Sequence, residues 1–135
     1  SVWRNQHATI EMSIVIGNHD LHAGPPPTDL NIQTIDAPHL VAPFICHHLP
    51  QPTAHENSYI LAGHLHPFVT LRDRDGSSHR FASFIFGPHQ AILPAFGGFT
   101  GGSAYKPTSA DRVFVIVHGE VIEVPTENHR SSRRR

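Results

Sequence analysis

Apolar positions in this chain come in short dense runs, separated by stretches rich in Pro, Gly and His. Met12-Ser13-Ile14-Val15-Ile16 is continuous, mostly branched and stopped by Gly17, as expected for a strand buried on both faces. Residues 1–10 before it read as a helix end or a connection, with Val2, Trp3 and Ile10 as apolar contacts. Residues 18–29 hold Gly24, the consecutive Pro25, Pro26 and Pro27, and Asp29, which is loop chemistry in which helix is not expected. Leu30 to Ile35 alternates loosely as a short strand. Leu40 to Cys46 is the next apolar run, interrupted by Pro43, and Tyr59 to Ala62 is another. Phe68 to Leu71 and Arg80 to Phe86 flank Asp75-Gly76 and read as a hairpin with a solvated, charged tip. Gln90 to Leu93 is a brief strand before Pro94. Arg112 to Val117 and Glu120 to Val124 make a final hairpin around Gly119. After residue 11 a helical signal is confined to the neighbourhood of His55. No repeat or linker divides the chain. The pattern predicts one domain over residues 1–125, mostly β in this portion, with a disordered basic tail over 126–135.

Composition narrows the chemistry. The 135 residues suffice for a single core, and a net charge of −1 gives no global basic excess from which to argue nucleic-acid binding. No apolar run approaches the roughly 18 residues of a membrane span, and no signal-peptide pattern is visible. The single Cys46 excludes a disulfide framework and a thiolate zinc finger. Lying in an apolar run, it reads as a core residue. Cysteine usage of this kind suggests an intracellular protein. The outlier is His, with 13 residues.

Several of these His stand where strands should end. Gly17-Asn18-His19-Asp20 follows the first run, His47-His48 follows Phe44-Ile45-Cys46, and Gly63-His64-Leu65-His66-Pro67 follows Ser58-Tyr59-Ile60-Leu61-Ala62. In an α/β sheet, strand ends are where sites assemble. Imidazole nitrogens with amide or carboxylate oxygens suit Mn, Zn and Fe. His64 and His66 would point to opposite faces on extended backbone, so they converge only if the chain turns after Gly63, a residue that would also let backbone approach the ions. The competing reading of Gly17-Asn18-His19-Asp20 is a local turn in which Asn18 and Asp20 bond backbone. His22, three residues past His19, is the further His closest to this set. The Gly-rich stretch 97–102 lacks the Lys of a Walker loop. It reads either as a wide turn or as backbone N–H groups beside an anion.

Together with Leu93-Pro94-Ala95-Phe96-Gly97-Gly98-Phe99-Thr100-Gly101-Gly102, these motifs resemble the calcineurin-like metallophosphoesterases, and within them the DNA-ligase-associated subgroup. The resemblance runs from about residue 10 to 124 and implies an α/β fold, a four-layer αββα sandwich of which this is the β-rich C-terminal portion. It implies two divalent ions, Mn first with Zn or Fe as alternatives. Asn18, His47 and His64 would bind one ion, His66 the other, and His19 would assist catalysis at the leaving oxygen. His47 is chosen over His48 because similar proteins use the first His after the strand. The implied activity is phosphodiester hydrolysis, with DNA as substrate, by a metal-bound water. DNA ligase and helicase are the implied partners, and the cytoplasm the implied location. The family's early Asp-x-His and Gly-Asp segments are absent from this sequence, which therefore reads as an N-terminally truncated domain with about half of the catalytic apparatus. Two alternatives stand beside this reading. One is a non-catalytic metal-binding remnant or interaction domain, the other a nucleotide phosphodiesterase of the same superfamily.

Overall fold

In a computed structural model of the chain, residues 2–97 and 101–126 are described. The chain opens with a short helix α1 (Val2–Gln6), then strand β1 (Met12–Val15), a one-turn helix α2 (Asp20–Ala23) and a 3₁₀ turn at Thr28–Leu30. Strands β2 (Ile32–Ile35), β3 (His39–Val41), β4 (Phe44–His47) and β5 (Tyr59–Ala62) follow. Then come β6 (Pro67–Arg72), β7 (Ser78–Phe86), β8 (Gln90–Ile92), β9 (Ser103–Ala104), β10 (Arg112–Val117) and β11 (Glu120–Val124). The result is a mixed, sheet-rich α/β chain with few helices.

Two sheets hold these strands. β1 and β2 form a two-stranded parallel sheet, Met12 opposite Ile32 and Val15 opposite Ile35. The other sheet runs β11-β10-β7-β8-β5-β4-β3, with β6 paired to β7 and to β9. β4 and β5 are parallel neighbours, so His48 and Gly63 emerge side by side at one sheet end. The core sits on the large sheet: Val69, Ile85, Ile92, Val113 and Val115 form one buried cluster, and Ile45, Ile60 and Ala62 another.

The expected strands and both hairpins are present, with differences of physical origin. The run from Leu40 to Cys46 is two strands, because Pro43 has no N–H to continue a ladder and the chain doubles back into the antiparallel pair β3–β4. Residues 18–29, expected as loop, contain α2, whose Ala23 and Gly24 amides donate to the carbonyls of His19 and Asp20. Around His55 there is a bridge to Ser58 rather than helix. β1 is only half-buried, with Ser13 exposed, because its sheet has just two strands. All of the predicted tail but Thr126 lies outside the described residues.

The N-terminal segment is anchored by a charge rather than by apolar contacts. Val2, Trp3 and Ile10 are 77%, 51% and 48% exposed, whereas Arg4 is buried. Its guanidinium donates to the carbonyls of Leu30 (2.7 Å), His7 (2.6 Å) and Ile10 (2.8 Å), tying α1 to the turns before β1 and β2. Arg4→Met keeps the stem but leaves those carbonyls without a charged donor, at an expected cost of about 2–3 kcal/mol. Urea unfolding measures it, and a cost below about 0.5 kcal/mol would mean that water replaces the guanidinium freely.

Candidate metal centre

The tetrapeptide after β1 divides its labour. Asp20 works locally, its Oδ2 accepting the Gly17 N–H at 2.8 Å and closing the turn into α2. The Asn18 side chain is thereby left to reach across to the large sheet. Its Oδ1 lies 2.7 Å from His48 Nε2 and 3.1 Å from His64 Nδ1, and those two nitrogens are 2.9 Å apart. His22 Nδ1 lies 3.0 Å from the Asn18 carbonyl and steadies the same loop.

Three short contacts among three atoms would need three protons. The amide oxygen carries none and each ring nitrogen at most one, and two N–H groups facing each other repel. At least one edge therefore lacks a hydrogen bond, and with both ring nitrogens bare a cation draws on all three lone pairs at once. Adjacent ligands on an octahedral ion with bonds of about 2.1 Å stand about 3.0 Å apart, close to the observed edges. The donor set of two imidazoles and one amide oxygen fits a borderline divalent ion. Among the described residues no group of three His, Cys, Asp or Glu side chains is placed to hold an ion. The triangle reaches three donors only through Asn18.

The structure brings His48, rather than the expected His47, to Asn18 and His64. β4 runs one residue past the apolar stretch, because His47 pairs with Ala62 of β5. Side chains alternate along a strand, so a shift of one residue sends the next ring to the other face. The first His beyond the strand is His48, and it is His48, not His47, that joins Asn18 and His64. Burial pushes the His48 ring below its usual pKa, with His64, and more weakly His19 and His66, adding to the effect while Asp20 opposes it. The neutral ring is favoured.

His64 reaches the triangle through an unusual turn. The Leu65 N–H donates to the Gly63 carbonyl at 2.7 Å across His64, whose φ is +65°, and His66 follows with φ +46°. A γ-turn of this hand is rare, and left-handed non-glycine residues cost of order 1–3 kcal/mol each. The turn makes rings two positions apart converge, as the Gly63-His64-Leu65-His66 pattern requires. His64, His66 and His19 line one cleft with Gly101, Gly102 and Ser103. His66 stands apart from the triangle. Its Nδ1 donates to the Gly101 carbonyl at 3.0 Å, which leaves Nε2 with a free lone pair.

Two glycines make the site possible, and neither is Gly63. A Cβ on Gly63 would meet nothing nearer than the His48 carbonyl at 3.8 Å, whereas on Gly17 it would fall 2.4 Å from His48 Cε1 and Nδ1. The missing Cβ of Gly17 is the space the His48 ring occupies. On Gly102 a Cβ would lie 2.6 Å from the His66 carbonyl, so close approach, not a wide left-handed turn, explains that glycine. Gly98, Phe99 and Thr100, the middle of the 97–102 stretch, lie outside the described residues. The Cys46 thiol is pushed up in pKa by burial, as suits packing rather than nucleophilic work.

A small parallel sheet, a larger mixed sheet and a His/Asn cluster where their strands end define a sheet-rich α/β protein with a candidate ion site. The chain is similar to the Pseudomonas putida nuclease MPE, with 38% sequence identity and a TM-score of 0.73. The match covers 90% of this chain and 58% of that one, so the chain spans little more than half the length of the protein it matches. No protein-family model matches the sequence, and no curated protein does. No helix among the described residues is long and apolar enough to cross a membrane.

Proposed function

We propose that this chain carries part of a metal-dependent phosphodiesterase centre acting on nucleic acid. The Asn18–His48–His64 triangle carries the reading, and similarity to a protein named as a nuclease supports it. Asn18, His48 and His64 would hold one divalent ion. An ion there supplies charge to stabilise a phosphoryl group and acidifies a water nucleophile. Mn suits the mixed nitrogen and oxygen donors, with Zn or Fe as alternatives.

The chain's own residues supply the rest. Asp20, by closing its turn on Gly17, keeps Asn18 free of local backbone. His66, fixed by Gly101, presents the Nε2 lone pair to the cleft and serves a second ion. His19, on the cleft wall, gives a proton to the leaving oxygen. In this reading the fold belongs to a four-layer αββα sandwich of the DNA-ligase-associated metallophosphoesterases. The same reading takes DNA as substrate, ligase and helicase as partners, and the cytoplasm as location. Among the described residues no carboxylate bonds to the triangle, so a single well-bound ion per chain is expected.

Metal removal tests the proposal. Stripping the protein with a chelator should abolish hydrolysis of bis(p-nitrophenyl) phosphate, and added Mn should restore it. Turnover that survives complete stripping, or protein that binds no Mn, Zn or Fe, would remove the metal from the account.

A further inference from the structure

The cleft of His19, His64 and His66 does not end at His66. A second depression shares His66, Gly101 and Gly102 with it and continues to Phe68 and Arg80. The groove runs from the candidate centre onto the β6–β7 hairpin. Thr70 and Arg80 are paired across that hairpin and Phe68 lies opposite Ala82, so Phe68, Arg80 and Ala82 share one sheet face.

Arg80 is held by a ring rather than by a counter-charge. Its guanidinium carbon stands 5.0 Å from the centroid of Phe68, and the ion pair found among the described residues joins Arg112 to Glu123 instead. Stacking on an aromatic face orients the planar fork and leaves its N–H edges free. An oriented guanidinium with free donors is the preferred partner of a phosphodiester. Its place is one groove segment away from the triangle, beyond His66.

We infer that Arg80, stacked on Phe68, binds a non-scissile phosphate of a nucleic-acid strand whose scissile phosphate lies at the Asn18–His48–His64 centre. The inference rests on the proposed phosphodiesterase reading and deepens it by naming the side chains that hold the strand beyond the scissile phosphate. Gly101 and Gly102 leave the groove floor free of side chains where the strand passes His66. The rim charge of Arg80 adds affinity that salt weakens.

The test compares Arg80→Ala, Arg80→Lys and Phe68→Leu with the unaltered chain, all loaded with Mn. One arm measures binding of a fluorescein-labelled single-stranded 12-mer oligodeoxynucleotide by anisotropy across a salt series. The other measures hydrolysis of thymidine 5′-(p-nitrophenyl phosphate), which has one phosphodiester and no flanking phosphate. Arg80→Ala should weaken oligonucleotide binding about 5- to 10-fold at low salt and flatten the slope of log K against log salt by about 0.7, one single-strand contact. Arg80→Lys should restore the slope but only part of the affinity, because the ammonium lacks the planar fork. Phe68→Leu should weaken binding with the slope retained. In each variant the loss on the oligonucleotide should exceed any loss on the thymidine ester. An unaltered slope in Arg80→Ala, equal losses on both probes, or no oligonucleotide binding by the unaltered chain would overturn the inference. If the unaltered chain binds the oligonucleotide but never hydrolyses the thymidine ester, the phosphodiesterase reading fails, and the slope still decides whether Arg80 contacts a phosphate.

Discussion

His48→Ala should lose its ion almost completely, while His47→Ala should keep it. Removing a partner that merely supports a ligand already costs 10- to 100-fold in metal affinity, so removing a ligand from a three-donor site should cost about 100-fold or more. His47 sits in the β4 ladder opposite Ala62 and takes no part in the contacts among Asn18, His48 and His64. Its truncation disturbs packing and not the triangle. The measurement is Mn bound per chain after equilibrium dialysis, together with hydrolysis of bis(p-nitrophenyl) phosphate. One ion in the unaltered chain and in His47→Ala, and none in His48→Ala, is the expected result. Loss in His47→Ala with retention in His48→Ala would reverse the register and remove the triangle as an ion site. Acid should act as the His48 substitution does, because protonated imidazole cannot ligate. Since burial lowers the His48 pKa, ion binding should hold to a lower pH than an ordinary imidazole allows, then fall away once the ring protonates.

Gly17→Ala is the second large effect, and it changes no donor. The added methyl would need the space of the His48 ring, 2.4 Å from two of its atoms. Either the ring swings away from Asn18 and His64, or β1 retreats and carries Asn18 with it. Both open the triangle, so Mn affinity should fall about 10- to 100-fold, the range seen when a ligand loses its positioning partner. The overpacking should also cost about 1–3 kcal/mol of stability. The decisive observation is a cycle. If Gly17→Ala acts through His48, then adding Gly17→Ala to the His48→Ala background should add little to the loss already incurred. Full additivity of the two losses would show that Gly17 does not act by making room for His48. A Gly63→Ala control should be mild, since a Cβ there meets only ordinary contact.

These two substitutions also mark where the sequence was readable and where it was not. Strands such as Met12–Val15 and Tyr59–Ala62 announce themselves through dense branched side chains, and the three groups of candidate residues sit where those runs stop. The Gly-His-Leu-His turn was legible too, because two rings at i and i+2 can meet only on a bent backbone. The exact end of β4 was not legible. It is set by pairing with β5 and not by the hydrophobicity of residues 44–47, so a polar His extends the strand and the ring that meets Asn18 and His64 is that of His48. Nor could sequence distinguish Gly17 from Gly63, since which glycine admits a ring depends on a side chain 31 positions away in one case and on nothing in the other. Arg4 was hidden for the same reason: a charged residue in a short helix reads as solvated until the three carbonyls that surround it are known. One-turn α2 escaped because it is closed by Asp20 accepting the Gly17 N–H, and it ends at Ala23, before the prolines begin.

The three donors of the triangle do not come from one sheet. Asn18 follows the two-stranded sheet, while His48 and His64 leave the large one. An ion held by all three is thus a rivet between two bodies that share no strand pairing among the described residues. A ligand that binds only the assembled form stabilises it by about 2.7 kcal/mol at one hundred times its dissociation constant. The protein's melting temperature should therefore rise with free metal concentration. The amides of the small sheet, whose two strands offer little cooperativity of their own, should gain the most protection against hydrogen exchange. Thermal denaturation then becomes a gauge of ion affinity that needs no substrate, and the small sheet becomes the part of the fold whose order reports the metal.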